Sequence, residues 1–186
     1  MVILAVPFRR HCRVGIFHSM CFLTGKFTRR IRNCVCCVLL DIRSILRMFA
    51  LEMCGKEVPI YLGCKTPLID PLIRPGVHGD DGFGDTEIAK TIKGRSDCIK
   101  VENGVSAIVR MANELKGELN LIMIGPATNL AVAFKLDEDL PKKIKSITMM
   151  GGTFTVGRGN TTLTTEYNWR QDPEAIAIVL REFKNI

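Results

Sequence analysis

The chain has 186 residues, 47% of them hydrophobic, and a formal net charge of +7, which is enough for one globular domain with a substantial core. Seven of the 26 Lys and Arg residues (Arg9, Arg10, Arg13, Lys26, Arg29, Arg30, Arg32) lie in the first forty positions, where there is no acid, leaving 19 basic against 19 acidic residues from Asp41 onward. A basic groove for nucleic acid therefore has little support, and no apolar run approaches the roughly 18 to 20 residues that span a bilayer, so neither nucleic acid nor a membrane is expected as a partner.

Residues 1–40 form a basic, cysteine-rich leader holding Cys12, Cys21, Cys34, Cys36 and Cys37, five of the eight cysteines. The Cys34-x-Cys36-Cys37 cluster is half of a zinc clip, but no second Cys or His pair follows at a suitable spacing. Reduced thiols in a reducing, cytoplasmic compartment are the simpler expectation. The Arg-rich, acid-free composition is also that of a mitochondrial transit peptide, while the apolar start at residues 2–6 is too brief for a secretory signal. A third reading is a poorly folding, non-homologous start contributed by an alternative exon or an erroneous gene model. The leader is expected to be irregular or weakly helical, distinct from an α/β domain over residues 41–186.

From Asp41 the pattern becomes regular. Ile42, Ile45, Leu46, Phe49, Ala50 and Met53 share one helical face, with Gly55 placed to end the helix. Residues 58–62 are a short apolar strand, and residues 63–85 a loop dense in Pro and Gly. A helix is predicted over residues 101–115, with Val105, Ile108, Val109, Ala112 and Leu115 inward and Gly117 beyond its end. Residues 119–124 make the next strand and residues 129–136 the next helix, after which Pro141 breaks the chain. A third strand covers residues 144–150, a long polar loop residues 151–171, and Asp172-Pro173-Glu174 opens a last helix with an N-cap, a first-turn proline and a dipole-matched acid. Helices alternating with short buried strands predict an open, mostly parallel sheet with helices on both faces. Ligands of such sheets bind at the carboxyl ends of the strands, so the loops after Leu62, Ile124 and Met150 should meet at one crevice.

Several short motifs fall on those loops. Gly125-Pro126-Ala127-Thr128-Asn129 turns a strand into a helix within a few residues, and carbonyls at that strand end can serve as hard oxygen ligands. Taken alone it is an ordinary strand-to-helix connection. Downstream stand Met149-Met150-Gly151-Gly152, then Asn160, Glu166-Tyr167-Asn168 and Asp172-Pro173-Glu174-Ala175; upstream stand Val58-Pro59-Ile60-Tyr61-Leu62-Gly63, Pro67-Leu68-Ile69 and His78-Gly79-Asp80-Asp81-Gly82-Phe83-Gly84-Asp85. In order and spacing these motifs resemble the inosine-uridine preferring nucleoside hydrolase family, from about Phe49 to the last residue.

The resemblance implies a doubly wound nucleoside hydrolase-like sheet, a calcium-bound site, a nucleoside or ribose as ligand, and hydrolysis of the N-glycosidic bond, with homo-oligomers common in the family. Carried over position by position, Ile124 stands where a backbone carbonyl coordinates calcium, so its side chain need not matter. Met150 would line the ribose pocket, and Asn160, Glu166 and Asn168 would hydrogen-bond the ribose hydroxyls, which both donate and accept. His78 lies on the loop that closes over the nucleoside and would contact sugar or base. The segment 153–159 is longer than usual in the family, and Arg158 adds a charge there. Two departures are graver. The family's Asp-rich motif, D-x-D-x-x-x-D-D, has no counterpart in residues 1–48, whose first acid is Asp41, and the late His-Asp segment, which the family pattern would place after Ile186, is expected to be absent. The expectation is a truncated form of a ribonucleoside hydrolase, with no catalytic residue of its own to name, inactive as this chain and not binding calcium by itself. The alternative is a non-catalytic ribose-binding or interaction protein derived from the family. Dinucleotide, P-loop, EF-hand and esterase signatures are lacking.

Overall fold

The computed structural model describes residues 59–71, 99–155 and 157–186, together with the backbone of residues 3–7 and 37–39. In chain order the strands are β1 (Ile3–Pro7), β2 (Cys37–Leu39), β3 (Ile60–Leu62), β4 (Ile99–Asn103), β5 (Leu119–Met123) and β6 (Ile144–Met149). The helices are α1 (Gly104–Glu114), α2 (Thr128–Leu136), α3 (Leu140–Lys143), α4 (Tyr167–Gln171) and α5 (Pro173–Glu182). The strands form two three-stranded sheets, β1-β5-β6 and β2-β3-β4. Pairing is parallel throughout except between β1 and β5.

The core is built on β5, whose Leu119, Leu121 and Met123 are fully buried at alternate positions. Against it pack Ile108, Met111 and Ala112 of α1, Leu130, Ala131 and Ala133 of α2, and Val179 of α5. Helix α2 touches both α1 and α5, and Phe134 of α2 meets Phe183 edge to face at 6.0 Å between ring centroids. Burying each large apolar side chain stabilises the fold by ~1.5–3 kcal/mol before entropy is counted. Of the five residues predicted to face inward on α1, Val105, Ile108 and Ala112 are buried, while Val109 and Leu115 pack against the core's edge.

Four local expectations are corrected. Residues 99–103, the last three of them predicted helical, form β4; the helix begins only at Gly104, because the Asn103 side chain accepts the Val105 N–H at 2.8 Å and caps it. Pro141 does not simply break the chain but sits in the first turn of α3, where its missing N–H costs nothing. The supposed loop 151–171 ends in α4. In the leader, expected to be irregular or weakly helical, residues 3–7 and 37–39 are strands, consistent with their apolar, β-branched composition. The helix predicted around residues 42–53 and the rest of the leader lie outside the described residues.

Register sets the site. Met123 pairs with Met149, so Ile124 and Met150 leave the sheet side by side, and the Met150 N–H donates to the Met123 carbonyl at 2.7 Å. At the outer edge of β6, the Ile147 N–H donates to the Asn185 carbonyl at 2.8 Å, which lays the segment after α5 along that strand.

Candidate functional site

The turn after β5 is almost wholly interior, with Ala127, Thr128 and Asn129 at 0–1% exposure. Two buried side chains tie it to its neighbours. Asn129 Oδ1 accepts the Cys64 N–H at 2.7 Å, and its amide lies so close to Gly63 that a Cβ there would stand 2.7 Å from Asn129 Cγ. The Thr128 hydroxyl donates to Asp172 Oδ2 at 2.5 Å, and the same oxygen accepts the Leu68 N–H at 3.0 Å. Asp172 Oδ1 accepts the Ala175 N–H at 3.0 Å and caps α5. A fully buried carboxylate thus joins the loop after β3, the turn after β5 and the start of α5. Beside it, burial pushes the Cys64 thiol up, against a backbone hydrogen bond that lowers it, and the Asp172 charge adds to the rise. Burial thus favours the neutral thiol at Cys64.

The second part of the site is the arm from Met150 to Asn168. Helix α4 has only five residues, and side chains hold its start. Asn160 Oδ1 accepts the Tyr167 N–H at 2.7 Å, Glu166 Oε1 accepts the Asn168 N–H at 3.0 Å, and Glu166 Oε2 accepts the Trp169 N–H at 3.1 Å. Three N–H groups that a helix start leaves unpaired are so provided for. Glu166 Oε2 also accepts the Gly152 N–H at 3.3 Å, and Asn168 Nδ2 donates to the Met150 carbonyl at 3.2 Å. Gly152 turns the chain at φ +80°, a conformation that favours glycine.

Met150, Asn160, Glu166 and Asn168 are therefore brought together around the first turn of α4, next to Ile124 at the end of β5. Met150 is 55% exposed, Asn168 buried and Glu166 half-buried. The acceptors on Asn160 and Glu166 already engage backbone, which motif spacing does not disclose. Asn160 keeps its amide NH2 to offer, Asn168 its Oδ1, and the Glu166 carboxylate a remaining lone-pair position, a mixed set suited to sugar hydroxyls. His78 lies outside the described residues. Sequence reasoning did not single out Trp169, whose indole covers Gly151 and Gly152. Its signal was available: it is the one tryptophan of the chain, adjacent to Asn168.

The arm does not make a cage for a divalent cation. Calcium takes 6–8 oxygens, several of them carboxylate. The two carboxylates here, Glu166 and Asp172, accept three hydrogen bonds each, and among the described residues no group of three or more His, Cys, Asp or Glu is placed to hold a metal. The Ile124 carbonyl by itself is one ligand. The described residues do not fit the ion that the sequence resemblance implies.

Residues 41–186 match the pattern of the family described as Inosine-uridine preferring nucleoside hydrolase. The chain belongs to this nucleoside hydrolase family. It is 36% identical over 137 residues to the probable uridine nucleosidase 2 of Oryza sativa subsp. japonica, covering 70% of this chain and 39% of that protein. In structure it is similar to a plant nucleoside hydrolase, with a TM-score of 0.66, 32% identity and coverage of 74% of this chain and 43% of that one. It is also similar to the purine-preferring ribonucleoside hydrolase from Gardnerella vaginalis, with a TM-score of 0.69, 28% identity and coverage of 80% and 48%. The chain spans about two fifths of the length of the curated relatives it matches. The nucleoside hydrolase fold supplies the parallel sheets with interleaved helices on which the arm is mounted.

Proposed function

We propose that the protein carries the ribose-holding arm of a ribonucleoside N-ribohydrolase, and that these 186 residues by themselves bind the pentose without cleaving the glycosidic bond. The observation that supports this most is the closed set of hydrogen bonds linking Met150, Gly152, Asn160, Glu166 and Asn168 around the start of α4. It aligns short polar side chains beside a strand end, where ligands of open α/β sheets bind. In this reading Asn168 Oδ1 and Glu166 accept hydrogen bonds from adjacent hydroxyls, the Asn160 amide donates, and Met150 covers the sugar's apolar edge. Ile124 and Met150 form the floor. His78, which lies outside the described residues, would add a contact to sugar or base if the resemblance carries over.

The cleavage that the family resemblance implies would need a metal-activated water, and the described side chains do not fit that ion. The non-catalytic reading is favoured by the same observation, since Glu166, the carboxylate nearest the arm, accepts three backbone N–H groups, which leaves it poorly placed as a general base. The test is incubation of the purified protein with calcium and either uridine or inosine, with free base and ribose measured. Uridine comes first because a relative in rice is a probable uridine nucleosidase. No base release together with saturable ribose binding is the expected result. Robust calcium-dependent release would overturn the non-catalytic part, and no ribose binding would overturn the pocket.

A further inference from the structure

We propose that Trp169 is the positioning residue of this arm: its indole clamps the Gly151-Gly152 turn so that the Met150 carbonyl and the Glu166 carboxylate are held where a sugar is bound. The inference rests on the ribose reading above but concerns a residue that reading does not use.

A Cβ at Gly151 would collide with the pyrrole edge of the indole, at Nε1 and Cδ1, and would stand 3.0 Å from Glu166 Oε2. A Cβ at Gly152 would stand 3.0 Å from Cη2 and 3.1 Å from Cζ2. The ring thus lies along both glycines at once, in a space that only a chain without side chains at these two positions leaves open. The Trp169 backbone closes the same unit, because its N–H and the Gly152 N–H donate to one oxygen, Glu166 Oε2. The next residue back, Asn168, holds the Met150 carbonyl. Displacing the ring therefore loosens the turn, the carboxylate and the carbonyl together.

Trp169 is partly buried and packs against the hydrophobic core, so the clamp is anchored to the fold rather than to the loop alone. Among the described residues its buried Nε1–H has no hydrogen-bond partner. A buried donor left unpaired is costly, and its retention in a native fold calls for a reason beyond packing. Holding the diglycine turn against Glu166 is such a reason, since a phenyl ring would avoid the unpaired donor but would not reach along both glycines.

Because Trp169 is the chain's single tryptophan, its emission reads this unit and nothing else. In the purified protein, titration with D-ribose followed by fluorescence should shift the emission with the same midpoint as the heat of binding. Trp169→Ala should weaken ribose binding more than tenfold with the far-ultraviolet circular dichroism unchanged, and Trp169→Phe, which keeps a ring over Gly151, less than tenfold. Should Trp169→Ala fail to fold, the wild-type emission and the Trp169→Phe titration decide. Wild-type binding by calorimetry with emission unmoved at saturation, or Trp169→Ala binding as tightly as wild type, overturns the positioning role and leaves the ribose reading standing. Absence of ribose binding by the wild type overturns both.

Discussion

Replacing Asp172 with alanine removes the acceptor from three donors at once: the Leu68 N–H, the Ala175 N–H and the Thr128 hydroxyl. The carboxylate has no exposure, so water does not take its place without opening the fold. Loss of the α5 N-cap alone costs about 1 kcal/mol, and each buried donor left unpaired about 1–3 kcal/mol more. The hydroxyl can rotate toward another acceptor and the three effects overlap, so the expected loss is about 3–5 kcal/mol, against the ~5–15 kcal/mol typical of a whole domain. Asp172→Asn keeps the shape and one acceptor but turns an NH2 toward one set of donors, and should lose roughly half as much. Urea denaturation followed by circular dichroism measures both. A loss below about 1 kcal/mol for the alanine variant would refute the reasoning, because it would mean that the carboxylate does not hold the three loops together.

Further outcomes follow from other contacts. Gly63→Ala places a methyl group on the buried Asn129 amide, whose oxygen is fixed by the Cys64 N–H, and should destabilise by about 1–3 kcal/mol; an unchanged denaturation midpoint would contradict the close approach. Glu166→Ala strips acceptors from the Gly152, Asn168 and Trp169 N–H groups and should speed amide exchange at those three positions while leaving β5 protected, with local cost ~0.5–2 kcal/mol. Exchange unchanged at Asn168 and Trp169 would oppose it. The Arg110 guanidinium holds Glu102, and the Lys143 ammonium holds Asp137, below the usual carboxylate range. Carboxylates lowered by folding stabilise above their unfolded-state value near pH 4 and lose that contribution as pH falls through the lower folded-state value. Stability should therefore be level from pH 7 to pH 5 as far as these pairs are concerned and decline below about pH 4, by ~0–1 kcal/mol per pair. Lys143→Met should flatten that acid limb, and an identical limb in the variant would count against the pairing.

Long-range order was readable where burial is periodic. Leu119, Leu121 and Met123 announce β5, the 3.6-residue spacing around Ile108 announces α1, and Asp172-Pro173-Glu174 marks the start of α5. What stayed hidden has specific causes. Strand β4 abuts α1 with no loop between them, and only the Asn103 cap separates the two, so Val101 and Glu102 were absorbed into the helical pattern. Helix α4 is too short to show a period and exists through the side-chain acceptors of Asn160 and Glu166 in the loop that begins at Gly151, a dependence visible only in three dimensions. At the site, motif order indicated Met150, Asn160, Glu166 and Asn168, and the structure gathers them. It also shows that the oxygen atoms of Asn160 and Glu166 hold backbone first, and that Trp169 lies against the Gly151-Gly152 turn. Contacts made by a side chain to glycines leave no trace in polarity or spacing.

The most direct test of the account is a calorimetric titration of the purified 186-residue protein with D-ribose, run in parallel with Asn168→Ala. A saturable single-site isotherm for the wild type that vanishes in the variant, with both proteins folded by circular dichroism, is the predicted result. A flat wild-type titration, or binding that survives loss of the Asn168 amide, would contradict the claim that this arm holds a pentose.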